Sequence, residues 1–218
     1  MIHILVVNIN NLWHTMNLIG DLRKQSKKFK LTLVDQGSTE EGTKEFLRSQ
    51  ADFNVVYNDT NVELCRLWNK FYLETVEPYL CFLNNDVRVP SNFVEDTVEI
   101  LNRESSVGCV VNMSNNNTYA QGNLSYRITT RRFIQGWDFT LRREAYTWIP
   151  DDFKMFGGDD HLFLNLYSNG WKVAVALSSP IIHYGKASWK YYKGDRAEGM
   201  PLYAKYNYKR IRYGATLR

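Results

Sequence analysis

The sequence predicts an α/β fold, organised as a single domain around a mostly parallel central sheet. Short apolar runs rich in β-branched residues recur along the chain, and they alternate with segments whose apolar residues repeat at helical spacing. Strands that alternate with helices favour parallel pairing, because each helix returns the chain to the same end of the sheet. A length of 218 residues with 44% hydrophobic residues suits one packed domain.

Four strands and the helices between them account for the first half of the chain. The predicted strands are IHILVVNI, KLTLVDQ, FNVVYND and YLCFLNND, at residues 2–9, 30–36, 53–59 and 79–86. Helices are predicted over residues 12–22 and 62–73, and a third one through Phe46 and Leu47. Each of the first three strands is therefore followed by a helix.

Capping residues are predicted at two helix starts. Ser38 and Glu41 have capping-box spacing for the helix through Phe46. Ser91 is placed to cap a later helix, which carries Val94 and Val98 on its apolar side. Both serines are thus expected to bond the first turn of a helix.

The alternation of strands and helices stops after Val111. Residues 112–133 are polar with little periodicity, which predicts a surface loop or flap able to reorganise around a ligand. Order resumes at residues 135–150. The segment FGGDDHLFLNLYSNG predicts a helix that two aspartates open and Gly170 ends, and WKVAVAL and PIIHYG predict two further strands.

The totals favour a soluble, cytoplasmic protein. No run approaches the roughly 18 apolar residues that span a bilayer, and the first residues, MIHILVVNIN, lack a charged leader. Cys65, Cys81 and Cys109 lie in apolar surroundings without C-x-x-C spacing, which predicts reduced core thiols instead of a disulfide frame or a zinc site. We therefore expect neither export nor a transmembrane segment.

Charge is distributed unevenly along the chain. Nine basic and two acidic residues from Tyr184 onward give that part +7, and because the whole chain carries +4 the preceding part carries −3. We expect the domain over residues 1–187 and a basic aromatic extension packing on it over residues 188–218. Bases interleaved with aromatics suit nucleic acid, a phospholipid surface or a phosphorylated substrate. The alternative is a helical cover whose tyrosines pack on the domain.

Polar residues follow the ends of the predicted strands, at Asn10, Asp35, residues 58–61 and residues 84–86. Because parallel strands share one carboxyl edge, where α/β proteins bind their ligands, we expect these side chains to converge on one crevice. Asp86 supplies the hard oxygen that Mg²⁺ or Mn²⁺ accepts beside a diphosphate. Turn formation is the alternative at each position, since Asn and Asp initiate turns.

An aspartate pair and a histidine also carry candidate chemistry. Asp159 and Asp160 follow two glycines and open a helix, where they supply either a general base with a charged neighbour or a helix cap. His183 is either a ligand that completes a metal shell or a half-buried histidine at a strand end. The sequence contains no Rossmann G-x-G-x-x-G after its first strand, no P-loop and no serine nucleophile elbow.

Six segments stand in an informative order along the chain: LTLVDQGSTEEGT, NDTNVELCRLWN, LNNDVRVP, IQGWDFTLRREAY, FGGDDHLFLNLYSNGWKVAVA and IIHYG. Together, from about residue 3 to residue 187, they resemble family 2 nucleotide-sugar glycosyltransferases of the GT-A fold, especially the rhamnosyl- and galactofuranosyl-transferase-like branch. The first three are similar to the family's D-x-G-S-x-D-G-T turn, its N-x-G-x-x-x-x-x-N segment and its D-x-D strand end. The last three resemble its acceptor-side segment, its G-E-D-x-D-L helix and its terminal metal-ligand histidine.

The resemblance implies a role for each matched acid and for the histidine. Asp86 would bind Mn²⁺ or Mg²⁺, and His183 would complete the shell of the metal. Asp160 would deprotonate the acceptor hydroxyl, while Asp159 would orient that base or bind the acceptor. The reaction implied is a direct displacement at the anomeric carbon with inversion, in which the metal offsets charge on the departing diphosphate.

The other matched positions would bind the two substrates. The donor, a nucleotide-diphosphate sugar with UDP-sugars as the first candidates, would contact Asn10, Asp35, Asn61, Arg66, Asn69, Asn84 and Asn85. The acceptor would contact Gly136, Trp137 and Asp138.

Three interpretations of function remain open at this level. The leading one is transfer to a glycan or lipid-linked saccharide, with peripheral membrane contact in the lipid case. The second is transfer to hydroxymethylated bases of DNA, as some compact phage enzymes of this fold perform, and salt-dependent retention on duplex DNA would favour it. The third is a non-catalytic module that binds sugar nucleotide or glycan. Asn84 in place of the first D-x-D aspartate supports it, whereas the retained Asp86, Asp160 and His183 oppose it.

Overall fold

The structure is a computed structural model that describes residues 1–114, 122–129 and 133–185. Its strands are β1 (Ile2–Asn8), β2 (Phe29–Gln36), β3 (Asn54–Asn58), β4 (Tyr79–Asn84), β5 (Val87–Arg88), β6 (Val107–Ser114), β7 (Tyr126–Ile128), β8 (Asp138–Arg142) and β9 (Lys172–His183). Its helices are α1 (Leu12–Leu22), α2 (Thr43–Arg48), α3 (Leu64–Glu74), α4 (Phe93–Arg103) and α5 (Gly158–Ser168). The extension predicted at residues 188–218 lies outside the described residues.

One sheet organises the described part of the chain, in the order β3-β2-β1-β4-β8-β6-β9-β5, with β7 on β9. Parallel ladders join β1 to β2 and β4, β2 to β3, and β6 to β9. Since β8 runs antiparallel to both β4 and β6, six strands share one direction, and β5, β7 and β8 oppose it. The predicted α/β fold with a mostly parallel central sheet is confirmed.

Apolar layers cover both faces of this sheet. Along β1, Ile4 and Val6 pack with α1, α2 and α4, whereas Leu5 packs with α3 and α5 on the opposite face. Successive strand residues face opposite sides, so a strand that is covered on both faces is apolar almost throughout. The uninterrupted apolar run of β4, Tyr79 to Leu83, follows from this arrangement.

Both capping predictions are wrong. α2 begins after Gly42, which has the left-handed φ of 79° that glycine adopts readily, and α4 begins after Asn92. The Ser38 hydroxyl donates instead to the Asp35 carboxylate, because both lie in the same tight turn at the end of β2. Ser91 stands one residue before the N-cap that the chain uses.

Two predictions for the second half of the chain need correction. The polar segment at 112–133 is not all loop, because β6 continues to Ser114 and β7 forms an antiparallel ladder with β9. The two last predicted strands form one strand, β9. An irregular register between β6 and β9, opposite Asn112 to Ser114, accommodates Pro180 there without ending the strand.

The prediction for the cysteines is confirmed. Cys65, Cys81 and Cys109 are buried thiols, none of them in a disulfide. Burial raises the pKa of the Cys81 and Cys109 thiols, so both stay protonated as core residues. Within the described ranges, no helix is both long enough and apolar enough to cross a bilayer.

Candidate active site

A cavity of about 480 Å³ opens at the carboxyl edge of the sheet, where ligands of open α/β sheets bind. The ends of β1, β2 and β4 form its floor, and the start of α3, the segment before β8 and the start of α5 form its walls. The size is that of a small-molecule site. Its lining residues are Val7, Ile9, Gln36, Asn61, Leu64, Trp68, Asn84, Asn85, Asp86, Gly136, Trp137, Met155, Phe156, Gly158, Asp159, His183 and Gly185.

The two predicted metal ligands face each other at one side of this cavity. His183 Nε2 lies 3.4 Å from Asp86 Oδ1. Backbone contacts fix the pair, since β5 and β9 pair Val87 with His183 and the Tyr184 amide donates to the Asp86 carbonyl at 3.0 Å. Two residues that are far apart in the sequence are thereby held within reach of one cation.

The donor set fits a divalent ion that the substrate helps to bind. A carboxylate and an imidazole are both ligands of Mn²⁺, and Mg²⁺ takes one or two carboxylates together with phosphate oxygens. No cluster of three or more His, Cys, Asp or Glu side chains suits a metal in the described part of the chain. A cation between Asp86 and His183 would therefore draw its other ligands from water and a diphosphate.

Trp137, predicted to contact the acceptor, lines the cavity and also supports this pair. Its ring stacks on the His183 imidazole with centroids 4.9 Å apart and planes at 13°. The Trp137 carbonyl accepts a hydrogen bond from the Asn84 amide at 3.0 Å, which ties the residue before β8 to the end of β4. The indole thus fixes the plane of the imidazole.

The predicted acid pair lies at another wall of the cavity, in the first turn of α5. Asp159 is half-buried and lines the cavity, whereas Asp160 is only 2% exposed. Burial, followed by the neighbouring Asp160 charge, raises the pKa of Asp159 to about 7. Gly136 packs so closely on the Asp159 carboxylate that a Cβ at this position would overlap it. The predicted acceptor glycine therefore positions the acid.

A buried polar network lies beneath the cavity floor. The Asn8 amide nitrogen donates to Asp35 Oδ1 at 3.1 Å, and Asn85 donates to Asn8 Oδ1 at 3.0 Å and to Thr15 Oγ1 at 3.1 Å. The turn hydroxyl of Ser38 also binds Asp35. Of the two predicted donor residues in this network, Asn85 reaches the cavity and Asp35 is fully buried beneath it.

Asn10 closes the same region from the β1–α1 turn. It has a left-handed φ of 52°, and its Oδ1 accepts the amides of Thr39 at 2.7 Å and Glu40 at 2.8 Å. Asn tolerates this conformation better than other non-glycine residues because its side chain bonds nearby backbone. Asn10 thus fastens two strand-end turns together beside the cavity.

The other predicted substrate contacts divide between wall and support. Asn61 and Asn84 line the cavity. Arg66 is exposed and pairs with Glu63, Nε to Oε2 at 2.7 Å. Asn69 is buried and binds both backbone groups of Ile149, which supports the segment that leads into α5.

Asp138, the last predicted acceptor residue, is fully buried in the sheet. Its Oδ2 accepts the Asn112 amide at 2.7 Å, and burial raises its pKa to about 7. The residue joins β8 to β6 behind the wall that Gly136 and Trp137 form.

Sequence reasoning missed a large part of the wall. Gln36 lines the cavity, and its amide is fixed by the backbone of Val62 on both sides, accepting at 3.1 Å and donating at 2.7 Å. Ile9 and Trp68 supply apolar surface. Apolar wall residues have no chemical motif, so only their position next to strand and helix ends could have indicated them.

Comparisons with known proteins agree with this architecture. A family model described as Glycosyl transferase family 2 matches residues 10–159, and no curated protein matches the sequence. Residues 1–349 of S. aureus TarS match at 14% identity with a TM-score of 0.63, over 80% of this chain and 57% of that one. The mannosyltransferase PcManGT from Pyrobaculum calidifontis, in complex with GDP-Man and Mn²⁺, matches at 15% identity and 0.63, over 81% and 56%.

A third solved structure, GalNAc-T7 with UDP, GalNAc and Mn²⁺, matches at 14% identity with a TM-score of 0.67, over 84% of this chain and 43% of that one. At these identities the likeness concerns the fold, and the chain spans between two fifths and three fifths of the length of these proteins. The family model covers more than half of the chain. The chain therefore belongs to glycosyl transferase family 2 and has the GT-A fold.

Proposed function

We propose that the domain transfers a sugar from a nucleotide-diphosphate sugar to a hydroxyl of a glycan or lipid-linked saccharide, with inversion and with Mn²⁺ or Mg²⁺ as cofactor. One observation carries the proposal: a single cavity has the Asp86–His183 pair at one side and the Asp159 carboxylate at another. A cation site for a diphosphate and a base for a hydroxyl are the two parts that a direct displacement needs.

The donor fits the floor of the cavity. Ile9 offers an apolar surface for a nucleobase, and the amide of Asn61 suits its polar edge. Structures of similar fold bind UDP-GlcNAc in TarS, UDP in GalNAc-T7 and GDP-Man in PcManGT. These complexes support a nucleotide sugar as the donor, and UDP-sugars remain our first candidates. The likeness to the rhamnosyl- and galactofuranosyl-transferase-like branch stays a prediction from the sequence motifs.

Asp86 and His183 would hold the cation, which would supply offsetting charge to the departing diphosphate. The geometry favours this role because the imidazole plane is fixed by Trp137 before any ligand arrives. Preorganised ligands lose little entropy when the ion binds. Asp35 and Asn10 act beneath and beside the site, through the turns that they hold.

The Asp159–Asp160 pair would supply the base. The sequence motif assigned the base to Asp160 and its orientation to Asp159, and we propose the reverse because Asp159 is the carboxylate that lines the cavity. A pKa of about 7 suits a base that must take a proton at neutral pH. Gly136 would keep this carboxylate in place, and the positive end of α5 favours its ionised form.

Transfer to DNA and a non-catalytic binding module remain predictions from the sequence. Transfer to DNA rests on the basic aromatic sequence beyond Tyr184, which lies almost entirely outside the described residues. A binding module without catalysis has no need of an acid pair in which burial, followed by the neighbouring Asp160 charge, raises the pKa of Asp159 beside the cavity, so the arrangement favours an enzyme. Cytoplasmic location likewise remains a prediction from composition.

Calorimetric titration tests this proposal. UDP, GDP, UDP-GlcNAc and GDP-Man are titrated with and without Mn²⁺ into the wild type, Asp86→Ala and the control Asp151→Ala, which removes an exposed carboxylate from a turn. We expect one nucleotide to bind at least tenfold more tightly with Mn²⁺, and Asp86→Ala alone to lose that gain. The absence of nucleotide binding under every condition would overturn the proposal.

A further inference from the structure

We infer that an exposed cluster of three rings beside the cavity, Trp13, His14 and Tyr184, binds an oligosaccharide acceptor by stacking on one of its sugar rings. This inference rests on the function proposed above and narrows its acceptor to a saccharide of more than one ring. The three residues are called the aromatic patch below.

The rings of the aromatic patch contact one another at steep angles. Centroids lie 4.9 Å apart for Trp13 and His14, 5.7 Å for Trp13 and Tyr184, and 4.8 Å for His14 and Tyr184, with interplanar angles of 77°, 69° and 53°. Trp13 nevertheless remains 58% exposed and Tyr184 44% exposed. A contiguous apolar surface left open to solvent indicates a binding site more often than isolated exposed residues do.

The aromatic patch adjoins the cavity through both elements that carry it. Tyr184 follows His183 directly, and its amide bonds the Asp86 carbonyl at 3.0 Å. The next residue, Gly185, lines the cavity. Trp13 and His14 lie in the first turn of α1, just beyond Ile9 of the cavity floor. A chain of sugars whose reacting hydroxyl enters the cavity would pass over this surface.

The chemistry of the aromatic patch matches that of a pyranose. Each ring offers a flat apolar face and a polar ring nitrogen or hydroxyl, as a pyranose offers a C–H face and an edge of hydroxyls. The exposed Trp13 and Tyr184 side chains carry an indole N–H and a phenol hydroxyl that can bond the hydroxyls of a sugar. Stacking on large aromatic rings with few rotatable bonds also costs little conformational entropy.

Nucleic acid fits the same rings less well. A protein derives much of its affinity for a polynucleotide from Lys and Arg side chains that neutralise phosphates. The aromatic patch itself is formed by side chains that carry no fixed charge. The cation–ring contacts in the described ranges involve Phe53, Tyr79 and Tyr72, all outside the patch. A saccharide is therefore the occupant that the patch favours.

Fluorine NMR on protein labelled with 5-fluorotryptophan tests the inference directly. The chain has six tryptophans, and Trp13→Phe identifies the resonance of Trp13 by its loss. The probes are maltotriose, cellotriose, mannotriose and chitotriose, added to protein saturated with UDP and Mn²⁺. We expect the Trp13 resonance to shift saturably with at least one trisaccharide. The resonance of Trp148, which is 49% exposed, serves as the internal control and should not shift.

The outcomes separate this inference from the proposed function. If UDP shifts the resonances of the cavity residues Trp68 or Trp137 while every trisaccharide leaves Trp13 unchanged, the inference falls and the donor site stands. If UDP shifts neither cavity resonance, the proposed function is contradicted, together with the inference that rests on it. A Trp13 shift with UDP alone, with a 12-base-pair DNA duplex or with phosphatidylglycerol vesicles, in place of a trisaccharide, would also overturn the inference.

Variants provide a second readout by calorimetry. Trp13→Ala should raise the Kd of the trisaccharide that shifts the Trp13 resonance, by a factor at least ten times larger than the factor for UDP. Trp13→Phe should recover part of the loss because it keeps a ring. Trp148→Ala is the matched control for loss of an exposed indole. Equal losses for trisaccharide and UDP in Trp13→Ala would place the ring in the donor site and contradict the inference.

Discussion

The cavity has two carboxylates in different settings. Asp86 lies 3.4 Å from the His183 imidazole, a second candidate metal ligand, whereas Asp159 is desolvated and lies beside another aspartate. The first setting offers a cation two neighbouring donors, a carboxylate oxygen and an imidazole nitrogen. The second raises the pKa to about 7 and favours a carboxylate that exchanges a proton. In the proposed mechanism, the surroundings of each carboxylate, and not its residue type, would determine which one binds the metal and which one acts as the base.

The largest effect is expected from removing the charge of Asp159. Asp159→Asn keeps the size of the side chain and its place on Gly136 but cannot accept the acceptor proton. We expect kcat to fall 10²- to 10⁴-fold, the usual contribution of a general base. The assay is release of nucleotide diphosphate from the donor that binds, and the Kd of the nucleotide should change less than threefold. A kcat within fivefold of wild type would remove Asp159 from the base role.

The pH dependence of kcat tests the raised pKa of Asp159. Because the Asp159 pKa is raised to about 7, the base is protonated at lower pH, and kcat should rise about tenfold per pH unit toward 7. Asp160→Asn removes the like charge, so the rising limb should move to lower pH. Asp151→Asn, an exposed control, should leave the limb in place. A limb that does not move in Asp160→Asn would contradict the coupling between the two acids.

A smaller loss is expected from the glycine that packs on the acid. Gly136→Ala places a methyl group where the Asp159 carboxylate lies, so the acid must shift. We expect a fall in kcat of about tenfold or more, since small displacements of reacting groups are costly. Gly122→Ala is the matched control because a Cβ there meets open space. Crystal structures of both variants would check the displacement, and an unmoved carboxylate would count against the steric account.

The smallest effect is expected from the ring that supports the Asp86–His183 pair. Trp137→Ala removes the ring that stacks on His183, and an aromatic pair contributes about 0.5–1.5 kcal/mol. We expect Mn²⁺ to bind the nucleotide complex about two- to tenfold more weakly, measured by the loss of the free Mn²⁺ signal in electron paramagnetic resonance. Trp137→Phe should recover most of the affinity, and Trp148→Ala should bind like wild type. Equal affinity in Trp137→Ala would mean that the imidazole needs no support.

Sequence patterns predicted the fold well because burial on both faces of a parallel sheet leaves an obvious apolar signal. They also predicted that Asp86 and His183 belong to one site. Their contact depends on the pairing of β5 with β9, which links residues almost a hundred positions apart. Such long-range pairing has no local signature, so only the order of motifs indicated it.

The sequence could not predict which side chain of an adjacent pair points into the cavity. Asp35 and Gln36 are adjacent at the end of β2, and side chains of adjacent strand residues point to opposite sides. The motif selected Asp35, yet the cavity is lined by Gln36, while Asp35 is buried against Ser38 and Asn8. The same limit applies to Asp159 and Asp160, whose facing depends on the helix start.

Anomalous diffraction at the manganese edge, from crystals grown with UDP and Mn²⁺, would locate the proposed cation site. We expect one manganese peak within coordination distance of Asp86 and His183, with the diphosphate on the same ion and the uridine over Ile9 and Gln36. A manganese ion bound away from both residues, or a nucleotide outside the cavity, would contradict it.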